Sequence, residues 1–239
     1  MELVGEMSLE EAYNEVYRDG EPGNQDLQLT DRWPRTRFEA AVRFAGSGQR
    51  ILDVGCGNGL VLYNLRHRFR ELYGTELSSV RVEAAREALD GLDAVVVHNN
   101  IEQGLDFPND YFDTVTCIDT LEHFVDVFAA VAEMTRILSP GGRLVIVTPN
   151  VARLDRRLRF LFLGQFPTTS AGNEGFDTRT PHELLDGGHL HYFTFSVLDK
   201  LLARYHYRRV ERYGFGRLGR VHNYLPTLLS GACAVVAIK

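Results

Sequence analysis

Asp119-Thr120-Leu121-Glu122-His123 puts two carboxyls and an imidazole in one short stretch, and His189 and His191 offer two more imidazoles further along the chain. Such groups can take a proton from a hydroxyl. Carboxylate oxygens and imidazole nitrogens can also ligate Mg or another divalent ion. The one-, three- and four-residue offsets of D-x-x-E-H aim the side chains into one site if the stretch is a strand-to-helix turn. The flanks suit that reading, because the apolar run Thr114–Ile118 precedes it and a helical pattern follows from about Val125 to Leu138. His67, His98, His182, His206 and His222 have no comparable setting.

A second chemical stretch is Ile51-Leu52-Asp53-Val54-Gly55-Cys56-Gly57-Asn58-Gly59. The run Arg50 to Val54 reads as a buried parallel strand, the glycines as a sharp turn, and a helix begins at Leu60. Strand, glycine turn and helix build a cofactor crevice at the carboxyl ends of parallel strands. The spacing is D-x-G-x-G-x-G rather than the G-x-G-x-x-G of a pyrophosphate site. Asp53 would repel a pyrophosphate but can accept from an ammonium or a hydroxyl. Further on, Glu76 ends a second strand, where an acid can accept both hydroxyls of a ribose.

The bulk numbers bound these readings. A length of 239 residues fits one large domain or one domain with an insertion, and 44% hydrophobic content supplies a core. The net charge of −6 gives no global electrostatic case for nucleic acid. Cys56, Cys117 and Cys233 make a poor disulfide framework and read as small buried thiols in a reducing compartment. No run is long and apolar enough for a membrane span, and the start lacks a basic, apolar signal, so a soluble cytoplasmic protein is expected.

The glycine string resembles motif I of the class I S-adenosylmethionine (SAM) methyltransferases. Gly74, Glu76 and Ser78 match that family's G-x-D/E-x-S signature, Phe107–Asp113 resembles its loop into the fourth strand, and Ser139-Pro140-Gly141-Gly142 resembles its turn into the fifth. Four motifs in order cover about Arg50 to Asn150. The resemblance implies an α/β fold: a doubly wound, mostly parallel seven-stranded Rossmann-like sheet with an insert after the fifth strand. It implies SAM contacts from Asp53, Gly55, Cys56, Gly57 and Gly59 around the methionyl part, and from Glu76 and Leu77 at the ribose. Asn100, which stands where the family has Asp, and Ile101 fall at the adenine, with Asp119 beside the crevice.

Several strand and helix expectations follow. Strands are expected at 71–78, 94–98, 114–118, 143–148, 207–212 and 231–238, the last two as an antiparallel edge pair. Helices are expected from Thr36 to Phe44, from Ser78 to Leu89 and from Ser196 to Arg204. Residues 1–37 form an N-terminal arm, with a helix start at Ser8 and a flexible loop over 19–26, and residues 38–239 form the catalytic domain. Tyr13, Tyr17 and Trp33 are lid candidates with packing as the rival role, while Arg35 or Arg37 can meet a carboxylate. The 149–195 insert shapes the acceptor side. Its alternating arginines and apolar residues from Arg153 to Leu163 read either as a solvated face or as an amphipathic helix for a lipophilic substrate or a membrane surface.

The D-x-x-E-H stretch is similar to the E-x-x-E-H of the ubiquinone-biosynthesis O-methyltransferases and of the small-RNA 3′-end 2′-O-methyltransferases. That likeness makes Asp119, Glu122, His123 and His189 a candidate metal set, with Mg or another divalent ion. Without metal, His123 is the base, with His189 or His191 as rival and Glu122 beside it. The chain also resembles the MetW-type proteins in Gly104-Leu105, Phe107-Pro108 and Gly164-Gln165-Phe166-Pro167. The leading expectation is O-methylation of a small or lipophilic molecule. A MetW-like SAM-binding partner subunit and RNA 3′-end methylation are the alternatives. The sequence is silent on the acceptor and the oligomeric state.

Overall fold

The computed structural model describes residues 10, 11, 14, 23–27, 29, 31–164 and 189–239. Its elements are α1 (Arg37–Phe44), β1 (Gly48–Val54), α2 (Leu60–Leu65), β2 (Phe69–Glu76), α3 (Ser79–Ala88), β3 (Ala94–His98) and β4 (Phe112–Ile118). They continue with α4 (Val127–Ile137), β5 (Leu138–Pro149), α5 (Leu154–Leu163), α6 (Phe195–Ala203), β6 (Arg209–Tyr213), α7 (Pro226–Leu229) and β7 (Ala232–Ile238). The seven strands form one sheet in the order β3-β2-β1-β4-β5-β7-β6. Strands β1 to β5 run parallel, and β7 pairs antiparallel with both β5 and β6. The sheet is therefore mostly parallel, doubly wound and Rossmann-like, as expected.

The strands read as continuous apolar runs because both faces are covered. Ile51, Val145 and Val147 face a core with α1, α2 and α3, while Leu52, Leu144 and Ile146 face a second core with α4 and α6. Side-chain caps fix where helices begin: Thr36 accepts from Glu39 N–H, Ser78 from Arg81 N–H, Asp126 from Ala129 N–H and Thr194 from Val197 N–H.

Two local expectations are corrected. Ser139–Gly142 is not a turn ahead of the fifth strand but part of it. The β4–β5 register shifts there, and Gly141 N–H donates to Lys239 O while Lys239 N–H donates to Gly142 O. The irregularity is a bulge held by the chain's last residue. The stretch over 19–26 is not free where it is described. Asn64 holds its C-terminal end, accepting from Leu27 N–H and donating to Gln25 O, and Asp26 pairs with Arg66 at 3.0 Å. Ser8, Tyr13, Tyr17, His182 and the Gln165–Pro167 part of the MetW-type motif lie outside the described residues.

Candidate active site

The strand order reverses between β1 and β4, and a crevice opens at the carboxyl ends of strands at such a switch point. A cavity of about 350 Å³ lies there. Asp53, Gly55, Cys56, Gly57, Glu76, Leu77, Asn100, Ile101, Asp119, Glu122, His123 and His189 all line it. Chain segments far apart in sequence thus converge as the spacing predicts, with two exceptions. Gly59 does not line the cavity; it opens α2 in the left-handed region at φ +83° and faces Ala85 and Leu89 across the helix pair. His191 lies on a separate groove with Phe128, Phe193 and Lys200.

The glycine loop is shaped by its neighbours. A Cβ on Gly55 would come within 2.3 Å of the Thr120 hydroxyl at φ +69°, so only glycine passes. Gly74 of β2 leaves room for Cys56, whose Sγ would be 2.6 Å from an added Cβ. The buried thiols of Cys56 and Cys117 are pushed well above the ordinary range by burial, which keeps them protonated and inert. Glu76 braces the loop by accepting from Gly57 N–H at 2.9 Å, Leu77 N–H at 2.8 Å and Ser78 N–H at 3.0 Å. A carboxylate carries about four lone-pair sites, so one remains for a ligand hydroxyl.

Asp53 sits opposite Thr116 in the β1–β4 register, and the Thr116 hydroxyl donates to its Oδ1 at 2.6 Å. Burial raises the Asp53 carboxyl to about 7; the Thr116 bond works against this and the Glu76 charge adds to it. This is an acid awaiting a cationic or donating partner.

On the other bank, Asp119 takes φ +47°, uncommon for a non-glycine residue, and its Oδ2 pairs with Arg37 Nε at 2.6 Å. Arg37 thus meets a carboxylate, as its place in the arm suggested, but a carboxylate of this chain. Glu122 is 1% exposed as a residue. Its Oε2 accepts from the Thr148 hydroxyl at 2.8 Å, and its Oε1 is buried without a hydrogen-bond partner, 3.9 Å from His189 Nε2. Burial and the nearby Asp119 charge both raise the Glu122 carboxyl. The His123 and His189 rings meet edge-on at 4.8 Å. Leu190 and His191 N–H both donate to the Glu122 carbonyl, which ties the far segment to this turn. Ligand atoms of Glu122, His123 and His189 lie within 4.8 Å of one another; Asp119 is not in that group.

Thr116 and Thr148 are site residues the sequence reading missed. Thr116 is placed opposite Asp53 by strand register, and Thr148 of β5 reaches Glu122 in the turn after β4; no linear spacing reveals either.

Trp33 does not line the cavity. Its indole N–H donates to Gly214 O at 2.7 Å and its ring packs on Phe44 and Tyr213. Trp33→Ala is therefore expected to lower stability by about 2–3 kcal/mol while S-adenosylhomocysteine affinity stays within about twofold. Urea unfolding and calorimetry on the same preparation check this, and a lid role would give the opposite pattern.

Residues 28–211 match the methyltransferase domain family. Ubiquinone biosynthesis O-methyltransferase of Alkalilimnicola ehrlichii is 35% identical over 119 residues, covering 49% of this chain and 47% of that protein. Demethylmenaquinone methyltransferase of Deinococcus radiodurans is 31% identical over 161 residues, covering 62% and 66%. The chain spans about half the length of the ubiquinone-biosynthesis relatives it matches. Among solved structures, a SAM-dependent methyltransferase from Aquifex aeolicus superposes with a TM-score of 0.57 at 17% identity, over 94% of this chain and 96% of that one. A Haemonchus contortus phosphoethanolamine N-methyltransferase 2 gives 0.59 at 14%, over 85% and 52%. With the glycine loop, Glu76 and the crevice at the β1–β4 switch, these likenesses identify the family: the chain belongs to the methyltransferase domain family, with the class I SAM-dependent fold.

Proposed function

We propose that the chain is a SAM-dependent enzyme that methylates a hydroxyl oxygen of a small or lipophilic acceptor. The observation that carries this is the buried, unpartnered Oε1 of Glu122 beside His189 and His123, on the wall of the cavity that the glycine loop lines. The cavity fits a nucleoside with a charged amino-acid tail, with a raised acid at Asp53, a carboxylate with capacity to spare at Glu76, and apolar Leu77 and Ile101. SAM, when bound, supplies a methyl group already activated for transfer. The chain's part is to orient the acceptor oxygen and take its proton. His123 and His189 are the groups for that, and Glu122 beside them stabilises an imidazolium once it has given up its proton. Glu122, His123 and His189 would also hold Mg or another divalent ion, which would make a bound hydroxyl more acidic; the orphaned Oε1 suits such a donor set. Asp119, engaged by Arg37, is left out of it.

The lipophilic part of the reading rests on α5. It begins five residues after cavity-lining Pro149, buries no residue, and exposes Leu161 and Phe162 by more than two thirds. Of the nearby arginines, only Arg159 stands exposed with no tie to the chain among the described residues. Arg156 and Arg157 donate to Asn150 O and Ala152 O, and Arg153 pairs with Asp155. An apolar acceptor, or shallow contact with a membrane surface, is the fitting partner. Among the described residues no helix is long and apolar enough to cross a membrane. Two relatives carry names that refer to ubiquinone and demethylmenaquinone, which points the same way.

The test is calorimetry with S-adenosylhomocysteine in magnesium and then in EDTA, followed by methyl transfer to catechols with and without an apolar tail. The expected result is nucleoside binding, a methyl ether product and a preference for the tailed acceptor. Activity lost in EDTA and restored by magnesium would favour the metal set. No nucleoside binding overturns the reading. Binding without turnover on any hydroxylated acceptor favours the MetW-like partner subunit, and salt-dependent RNA binding with methylated 3′ ends favours the RNA alternative.

A further inference from the structure

We infer that the groove beside His191 is a second binding site, built for a single-chain amphiphile with an anionic head. It lies between the start of α4 and α6, and its volume is about 670 Å³. That is the size of a small-ligand site. None of the residues lining it lines the crevice at the β1–β4 switch, so the two are separate. They are neighbours through one segment: His189 lines the crevice and His191 the groove, while Leu190 and His191 N–H both donate to the Glu122 carbonyl.

Three observations define the ligand. The first is an orphaned polar atom: His191 Nε2 is buried and has no hydrogen-bond partner. Such an atom is rare and unfavourable in a ligand-free chain. With its proton on Nε2, the ring donates to an anionic oxygen. The second is charge. Lys200 of α6 and Arg204, its C-cap, stand exposed one helical turn apart on the groove, and Lys200 forms no ion pair or hydrogen bond among the described residues. Asp126, the acid that lines the groove, caps α4 by accepting from Ala129 N–H. A positive groove on a chain of net charge −6 favours an anion. The third is apolar surface. Val125, Phe128 and Val197 are exposed by 69%, 54% and 43% around a buried floor of Phe193 and Leu201. The Arg204 guanidinium lies 5.1 Å from the centre of the Phe128 ring, and the Tyr205 hydroxyl donates to Phe128 O, so this rim is held in place. Three exposed side chains are a small part of the roughly 800 Å² per partner that a stable protein interface buries. A fatty carboxylate or an alkyl phosphate meets all three conditions. Its head accepts from His191 and is balanced by Lys200 and Arg204, and its chain covers Phe128 and Val197.

Calorimetry with decanoate, decyl phosphate and decyltrimethylammonium, each below its micelle concentration, tests this. The two anions are expected to bind one to one, the tighter of them naming the head, and the cation at least about tenfold more weakly. Lys200→Glu should weaken decanoate about tenfold, and His191→Phe, which keeps a ring and removes its nitrogens, by a similar factor. The unfolding midpoint should hold in Lys200→Glu, an exposed position, and should not fall in His191→Phe, which removes an unsatisfied polar atom. Excess S-adenosylhomocysteine should leave decanoate affinity within about twofold, because the two sites share no residue. Displacement of decanoate by the nucleoside puts the ligand in the crevice and overturns the inference. Equal binding of the cationic amphiphile overturns it, as do Lys200→Glu and His191→Phe chains that bind decanoate like the wild type. Binding to phosphatidylglycerol vesicles without affinity for either free anion also overturns it, and makes the groove part of a membrane-facing surface.

Discussion

Asparagine in place of Asp53 is expected to raise the stability of the ligand-free chain above neutral pH and to weaken its hold on S-adenosylhomocysteine. The folded chain raises the Asp53 carboxyl from 3.8 to about 7, chiefly by burial. Between those values the folded state keeps a proton that the unfolded state has released. Stability from this group is therefore fully present below about 4, falls as pH rises toward 7, and stays low above it. The gap, at ~1.36 kcal/mol per pH unit, comes to roughly 4 kcal/mol as an upper figure. Asparagine carries no charge, and its amide oxygen can still accept from the Thr116 hydroxyl. Urea unfolding at pH 5 and pH 8 should show a gain for Asp53→Asn that is large at pH 8 and small at pH 5. Calorimetry should show the nucleoside bound at least tenfold more weakly, because a charge-assisted partner for the ligand's donors is gone. Equal stabilities at pH 8 would mean that Asp53 is solvated and ordinary.

That trade of stability for a charged site explains why the fold was easier to read than the site. Runs such as Ile51–Val54 and Leu144–Val147 are apolar at every position because helices cover both faces of the sheet, and this pattern survives in one dimension. The left-handed glycines Gly55 and Gly57 are legible for the same local reason. Partners fixed by strand register are not. Thr116 beside Asp53 and Thr148 beside Glu122 belong to neighbouring strands whose alignment no spacing reveals. The Arg37–Asp119 pair joins the start of α1 to the turn after β4, two segments far apart in the chain. The resemblance to motif I places Gly59 at the ligand, whereas a helix begins there and turns that position toward α3.

Glutamine in place of Glu122 is expected to lower methyl transfer about 10²- to 10³-fold while nucleoside affinity stays within about twofold. The substitution keeps the shape of a fully buried side chain, and the amide oxygen can still accept from Thr148. It removes the ionisable acid beside His189 and, where an ion binds, one of its three donors. The unfolding midpoint should hold or rise, since a buried carboxyl gives way to a neutral amide. A loss of stability in step with activity would instead assign Glu122 to holding the turn, a task its backbone carbonyl already performs through Leu190 and His191 N–H. His189→Gln alone should lose a similar factor, and the double variant little more than either single one, because an acid and an imidazole that act on one proton or one ion fail together. Fully additive losses would separate the two residues and leave His123 to take the proton without them.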